Sequence, residues 1–242
     1  MLTVSYDKDL EWLKYQKQSF DKFCSGYHSY TVVSYPEDNE RLQKWLNNEG
    51  ISSFTSNHSK NIKKGYMKQQ IIKLHADDFC GDADYIMHVD SDCVFHTKNK
   101  PSDYFIEGKP VMLMTSYEGP TLKNDQAYCW KKITEDALGE NVEYEFMRRI
   151  PLIYPIGLYK ELRDFIISVH GKTITEYVEN GGALSEFNLL GAYCWRYHRD
   201  KFYWINTDIS TPPKEVLRQF WSYGGVSKNE KEIDKLIYNK TN

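Results

Sequence analysis

Apolar residues recur along this chain with two periods, and the switches between them mark out its elements. Leu2 to Tyr6 is a short run of strand length. Asp9 to Phe23 follows with Leu10, Leu13, Phe20 and Phe23 at helical spacing and a polar outer face. Tyr30 to Tyr35 predicts a second strand, stopped by Pro36. Asn39 to Asn48 carries Leu42, Trp45 and Leu46 on one helical stripe, and Ile51 to Phe54 predicts a short third strand. After a polar loop, Gly65 to Phe79 places Met67, Ile71 and Leu74 on one face of a predicted helix. A fourth strand, Tyr85-Ile86-Met87-His88-Val89, runs into Asp90-Ser91-Asp92, and Cys93-Val94-Phe95 resumes the apolar pattern. This alternation of strand and helix predicts an α/β fold with a mostly parallel, twisted central sheet and helices on both faces.

Beyond Phe95 the pattern changes. Pro110 to Thr115 predicts a buried strand, Asp125 to Leu138 a helix, and Ile150 to Tyr154 a strand closed by Pro155-Ile156-Gly157. Helices are predicted over Leu158–His170, ended by Gly171, over Thr173–Asn180, ended by Gly181-Gly182, and over Ser185–Trp195. Lys201 to Ile205 is the last clear strand, and the polar tail from residue 227 is expected to form a loosely attached helix. Neither a linker nor a repeat interrupts the chain. It is therefore drawn as one domain over 1–242, with a nucleotide-binding half over about 1–100 and a second half over about 101–226.

Composition narrows the function. A net charge of −3 without a basic block argues against a nucleic-acid groove. Nineteen tyrosines and six tryptophans supply rings suited to stacking on sugars or bases, as well as to core packing. Five scattered cysteines without a Cys-x-x-Cys pair read as reduced thiols. No signal peptide and no apolar run long enough for a bilayer are visible, which predicts a cytoplasmic protein.

Asp90 and Asp92 carry the main chemical signal. Ligands of open α/β sheets bind outside the carboxyl ends of the strands. Two carboxylates delivered there suit a hard divalent cation, Mn²⁺ or Mg²⁺, rather than zinc. A calcium-loop reading fails because Val94 and Phe95 stand where an oxygen ligand and a glycine are needed. The string Asp90-Ser91-Asp92-Cys93-Val94 fits a haloacid-dehalogenase-type phosphatase, but that motif normally opens its domain, and here about three strands precede it.

Together with Gly65-Tyr66-Met67-Lys68-Gln69-Gln70-Ile71-Ile72-Lys73-Leu74 upstream, the stretch resembles the GT-A glycosyltransferases. In many of them a Gln-Gln-(two apolar)-Lys-Leu helix precedes a strand ending in Asp-x-Asp. The likeness covers about residues 65–95 closely and the order of elements back to residue 2. It implies a single GT-A-like domain with a nucleotide-binding half and an acceptor half. It also implies a metal-dependent enzyme that moves a sugar from a nucleotide-diphosphate sugar, most simply a UDP-sugar, to a hydroxyl of a glycan or glycoprotein acceptor. Asp92 would be the direct metal ligand, with Asp90 touching ribose or a metal-bound water, and Ser91 between them in the donor site. His198 would complete the metal shell, as a late histidine does in some members, or be an ordinary hydrogen-bonded residue.

Thr3, Tyr6 and Asp7, near the end of the first strand, are candidates for base and ribose; Tyr6 could equally cap the core. Lys73 is a candidate for phosphate or donor sugar, and Gln69 and Gln70 are weaker candidates of the same kind, with solvated helix positions as the alternative. An inverting transferase needs a base for the acceptor hydroxyl. Glu186, after Gly181-Gly182-Ala183-Leu184-Ser185, is the first candidate, and Asp125 and Asp208 are reserves. Equally, Ser185 could cap the helix and Glu186 be a first-turn acid complementing its dipole. Two further alternatives stand: a phosphatase or nucleotidyltransferase using the same acids, and a non-catalytic carbohydrate-binding domain.

Overall fold

Short segments become the strands, and amphipathic stretches become the helices between them. The computed structural model describes residues 1–37, 39–122, 126–148 and 151–238. In chain order the first elements are β1 (Leu2–Ser5), α1 (Leu10–Phe23), β2 (Thr31–Ser34), α2 (Glu40–Asn48) and β3 (Ser52–Thr55). Next come α3 (Gly65–Lys73), β4 (Tyr85–His88) and β5 (Cys93–Phe95), then β6 (Phe105–Ile106), β7 (Lys109–Ser116) and α4 (Cys129–Leu138). They are followed by β8 (Tyr144–Glu145), β9 (Leu152–Pro155), α5 (Gly157–His170), α6 (Ile174–Glu179) and α7 (Glu186–Tyr197). The last are β10 (Tyr203–Asn206), β11 (Leu217–Gln219) and α8 (Glu230–Tyr238). This is a mixed α/β fold with a central, mostly parallel sheet. No described helix is long and apolar enough to cross a membrane.

The chain forms two compact units. One gathers Met1–Ser56, His88–Tyr104 and the chain from Pro213 onward. In it β3, β2 and β1 run parallel, pairing Thr31 with both Leu2 and Ser52, and Leu2 also pairs with His88 at the end of β4. Leu10 and Leu13 of α1 pack with Val32, Leu42 and Leu46 into one core. On another side Trp12 and Val94 meet Ile233 and Ile237 of α8. β11 lies antiparallel to β5, with Arg218 opposite Val94.

The other unit comprises Asn57–Met87 and Phe105–Pro212. Its longest strand, β7, pairs in parallel with β10 and antiparallel with β6 and β8. β4 neighbours β9. α7 crosses very close to the segment after β8: a Cβ placed on Gly191 would lie 2.4 Å from the Cβ of Phe146. Only glycine fits that crossing without a shift.

Three expected elements change. The helix predicted over 65–79 ends at Lys73 and is followed by a 3-10 turn over Ala76–Phe79. Arg163 of α5 explains the break. Its guanidinium donates to the freed Leu74 carbonyl at 2.7 Å and clamps Asp77 with two bonds of 2.6 and 2.7 Å, supplying a partner that the helix end lacks. The helix predicted from Asp125 is α-helical from Cys129, behind a 3-10 turn over Gln126–Tyr128. The tail is not loosely held: Ile233 and Ile237, one turn apart, are buried to 0% and 1% exposure. Two isoleucines are a narrow stripe in a charged sequence, but they are enough to dock one short helix.

Candidate functional site

In the first unit the acids are held by a buried glutamine. Gln16, on α1, reaches the end of β4: its Nε2 donates to the Asp90 carbonyl at 2.5 Å, and its Oε1 accepts from Tyr30 at 2.7 Å. Thr3 Oγ1 lies 3.0 Å from the same Gln16 oxygen and 2.8 Å from the Val89 carbonyl. Thr3 is fully buried, so its contribution is to fix the backbone that carries Asp90.

Asp92 is almost as buried, at 7% exposure. Its carboxylate accepts the Ser222 N–H at 2.8 Å and lies 3.3 Å from the Gln219 side-chain amide, while its carbonyl accepts the Phe220 N–H at 3.0 Å. The aromatic segment after β11 is thereby laced to the second acid of the motif. Trp221 within it has a positive φ of 58° and an exposed ring. A tryptophan in that backbone region is strained, and such strain collects at functional sites.

A third acid joins the pair. Ser91 donates to Asp9 at 3.3 Å. Burial pushes the Asp9 carboxyl up to about 6, Asp92 and, more weakly, Asp90 push the same way, and the Ser91 hydroxyl opposes them. Nothing in the sequence separates Asp9 from an ordinary helix-start acid; only the approach of residues 82 positions away does. Among the described residues, no three His, Cys, Asp or Glu side chains gather closely enough to enclose a metal ion by themselves. The all-oxygen donors fit a small hard cation, which keeps several waters and takes one or two carboxylates together with substrate phosphates.

Tyr6 stacks on Tyr35 with ring centroids 5.5 Å apart. Asp7 is engaged elsewhere: its carboxylate accepts the Leu42 N–H at 2.8 Å and the Arg41 N–H at 3.4 Å, at the first turn of α2. It caps a helix that begins more than thirty residues later, stabilised by the helix dipole.

The second unit holds a different arrangement. Lys73, at the end of α3, and Glu186, at the start of α7, form an ion pair of 2.9 Å with side-chain exposures of 3% and 4%. The Phe187 ring lies 4.6 Å from the ammonium and adds a cation–π contact. Neither residue is a solvated helix position. Ser185 does not cap α7; its hydroxyl accepts from Asn188 at 2.9 Å. Beside Lys73 on α3, Gln70 is fully buried, and neither atom of its amide has a hydrogen-bond partner among the described residues; nor does Glu186 Oε2. Buried polar groups are normally satisfied, so these three atoms are poised for hydroxyls or water. Gln69, one position along, is only partly buried.

His198, at the end of α7, sits 2.9 Å from a Glu161 carboxylate oxygen and packs on Tyr193. Asp208 accepts the Ser116 N–H at 2.8 Å. Asp125 lies outside the described residues. Thus Thr3, Asp90, Ser91 and Asp92 come together in the first unit, with Asp9 and Gln16 added, and Lys73 and Glu186 come together in the second, where the candidate Gln70 is buried on the same helix as Lys73.

The mixed α/β fold, a central mostly parallel sheet with helices, matches a GT-A-like domain. Among solved structures it is similar to the galactosyltransferase LgtC, in complex with donor and acceptor sugar analogues. The match has a TM-score of 0.53 and spans 100% of this chain and 96% of that one, at 10% sequence identity. No family model and no curated protein matches the chain.

Proposed function

We propose that this chain is a metal-dependent glycosyltransferase that moves a sugar from a nucleotide-diphosphate sugar, a UDP-sugar in the first instance, to a hydroxyl of a glycan. The observation that carries this is the gathering of Asp9 with Asp90 and Asp92 after β4, where burial first and then the charges of Asp92 and Asp90 push Asp9 up to about 6. Carboxylates held against their own repulsion are a poor way to stabilise a fold and a good way to attract a divalent cation. A bound Mn²⁺ or Mg²⁺ would offset the charge that develops on the departing diphosphate.

Each residue then has a task. Asp92 and Asp90 hold the cation, with Ser91 and Asp9 fixing the approach. Gln16 and Thr3 keep the backbone of the motif in place. Tyr6 offers a ring for the base. In the second unit Lys73 neutralises Glu186 until an acceptor hydroxyl gives that carboxylate a proton to take, and Gln70 offers a donor and an acceptor to sugar hydroxyls. His198, already paired with Glu161, is a weaker candidate for the metal shell.

The test is a thermal-shift screen of nucleotide sugars with and without Mn²⁺. A true donor at about a hundred times its dissociation constant stabilises the native state by about 2.7 kcal/mol. That gain should need both donor and metal and should vanish in Asp92→Asn. Stabilisation by a free sugar with neither nucleotide nor metal would favour a binding domain instead.

A further inference from the structure

The second unit has a concave site that the catalytic proposal does not use. A cavity of about 410 Å³ opens where the end of α4 and the segment after it face the last turn of α7. Its size falls within the range of small-molecule sites. Leu138, Val142, Phe146 and Ala192 make a buried apolar floor. Trp195 forms a wall, and the Arg199 guanidinium lies over its ring, 3.9 Å from the centroid. A bond of 2.7 Å from Arg199 Nε to the Trp195 carbonyl fixes that stack.

The rim is polar and balanced. Arg196 and Glu140 pair across it at 3.1 Å, and Glu140 also accepts from Tyr197 at 2.5 Å. Asn141 and Glu143 complete it, both exposed. Two arginines face two glutamates, so the lining has no excess charge to attract a diphosphate or a cation. It offers donors and acceptors together around an apolar floor. A sugar ring has the matching chemistry, since each hydroxyl both donates and accepts while the ring carbons present an apolar face.

We infer that this cavity is a second carbohydrate site, one that takes a neutral sugar residue of a glycan. It lies apart from the reacting groups: Glu186 opens α7 and Arg196 stands ten residues later, roughly 15 Å along the helix axis. A glycan held here would be retained by a residue distant from the hydroxyl that reacts. That role as an acceptor anchor rests on the transferase proposal; the binding does not.

The experiment uses the whole chain on an array of immobilised neutral and acidic oligosaccharides, in EDTA and without nucleotide, followed by titration of the best neutral ligand. The wild type should bind a neutral oligosaccharide. Arg199→Ala and the double variant Asn141→Ala, Glu143→Ala should bind it about tenfold more weakly, the scale of one or two lost hydrogen bonds. All of these positions are exposed at the rim, and an unchanged unfolding midpoint confirms that the variants fold. Asp92→Asn should bind the glycan as the wild type does. A blank array, binding unaffected by the rim variants, or binding of acidic glycans alone overturns the inference. Glycan binding lost in the rim variants without sugar transfer from any donor would leave the inference standing and remove the transferase. Transfer with a blank array would do the reverse.

Discussion

The acids of the two units are handled in opposite ways. In the first, Asp9 is held near Asp90 and Asp92, and burial first, then the charges of the other two acids, raise its carboxyl. In the second, Glu186 is buried more completely, yet Lys73 meets it at 2.9 Å and neutralises it within the fold. One set of acids meets hydroxyl and amide donors and is the cation site of the proposed transferase; the other is paired within the fold. The contrast separates two ways of burying a carboxylate, beside other acids and against a lysine.

The sharpest way to break this contrast is to open the paired site. Lys73→Met strands Glu186 in the interior, and unfolding by urea should show a loss of about 3–5 kcal/mol. Adding Glu186→Gln should recover much of it, because the uncompensated charge is gone. A loss below about 1 kcal/mol would mean that the pair is solvated, as exposed pairs are.

Two titrations sharpen it next, because they share a pH range and carry opposite signs. His75, stacked on His58 in the second unit, is lowered to about 4, chiefly by burial. Its unfolded value is near 6.5, so between those limits the unfolded chain binds more protons and stability falls as the pH falls. The loss approaches about 3 kcal/mol and should be absent from His75→Gln. Asp9, at about 6, lies above its unfolded value near 3.9. Here the native state binds more protons, so stability falls as the pH rises through that window. Without divalent cation the cost at pH 7 is about 2–3 kcal/mol, which Asp9→Asn should remove. Differences between wild-type and variant stability curves from pH 4 to 7 check both signs.

The smallest effect concerns packing rather than charge. Gly191→Ala drives a methyl into Phe146 and should cost about 1–3 kcal/mol, read as a lower unfolding midpoint, with the pH dependence of the wild type kept.

Much of the fold was legible because its signals are local. The strand ending at Asp90 and the helix from Gly65 each announce themselves within a dozen residues. Lys73 and Glu186 could be picked out singly, one from a helix pattern and one from a glycine-rich turn. Their pairing could not, since 113 positions separate them. Asp9 and Gln16 look like ordinary polar residues of amphipathic helices until the fold brings their partners near. Arg163 ends α3 from 89 positions away, which no local propensity records. Asp7 shows the converse: it stands beside a strand end where a ligand would lie, and tertiary structure spends it on capping α2.

The ladder between β5 and β11 has a consequence for how the protein is made. Cys93 pairs with Gln219, and the Asp92 carboxylate waits for the Ser222 N–H, 130 residues downstream. On the ribosome, the first unit therefore stays unfinished while the whole of the second emerges. Pairings so distant in sequence form slowly, and until they form β5 has an open edge and Trp12 and Val94 lack the isoleucines of α8. Newly made chains should thus pass through a stage in which the second unit is already folded and the acid cluster is not yet assembled. That interval is when the protein is most exposed to aggregation.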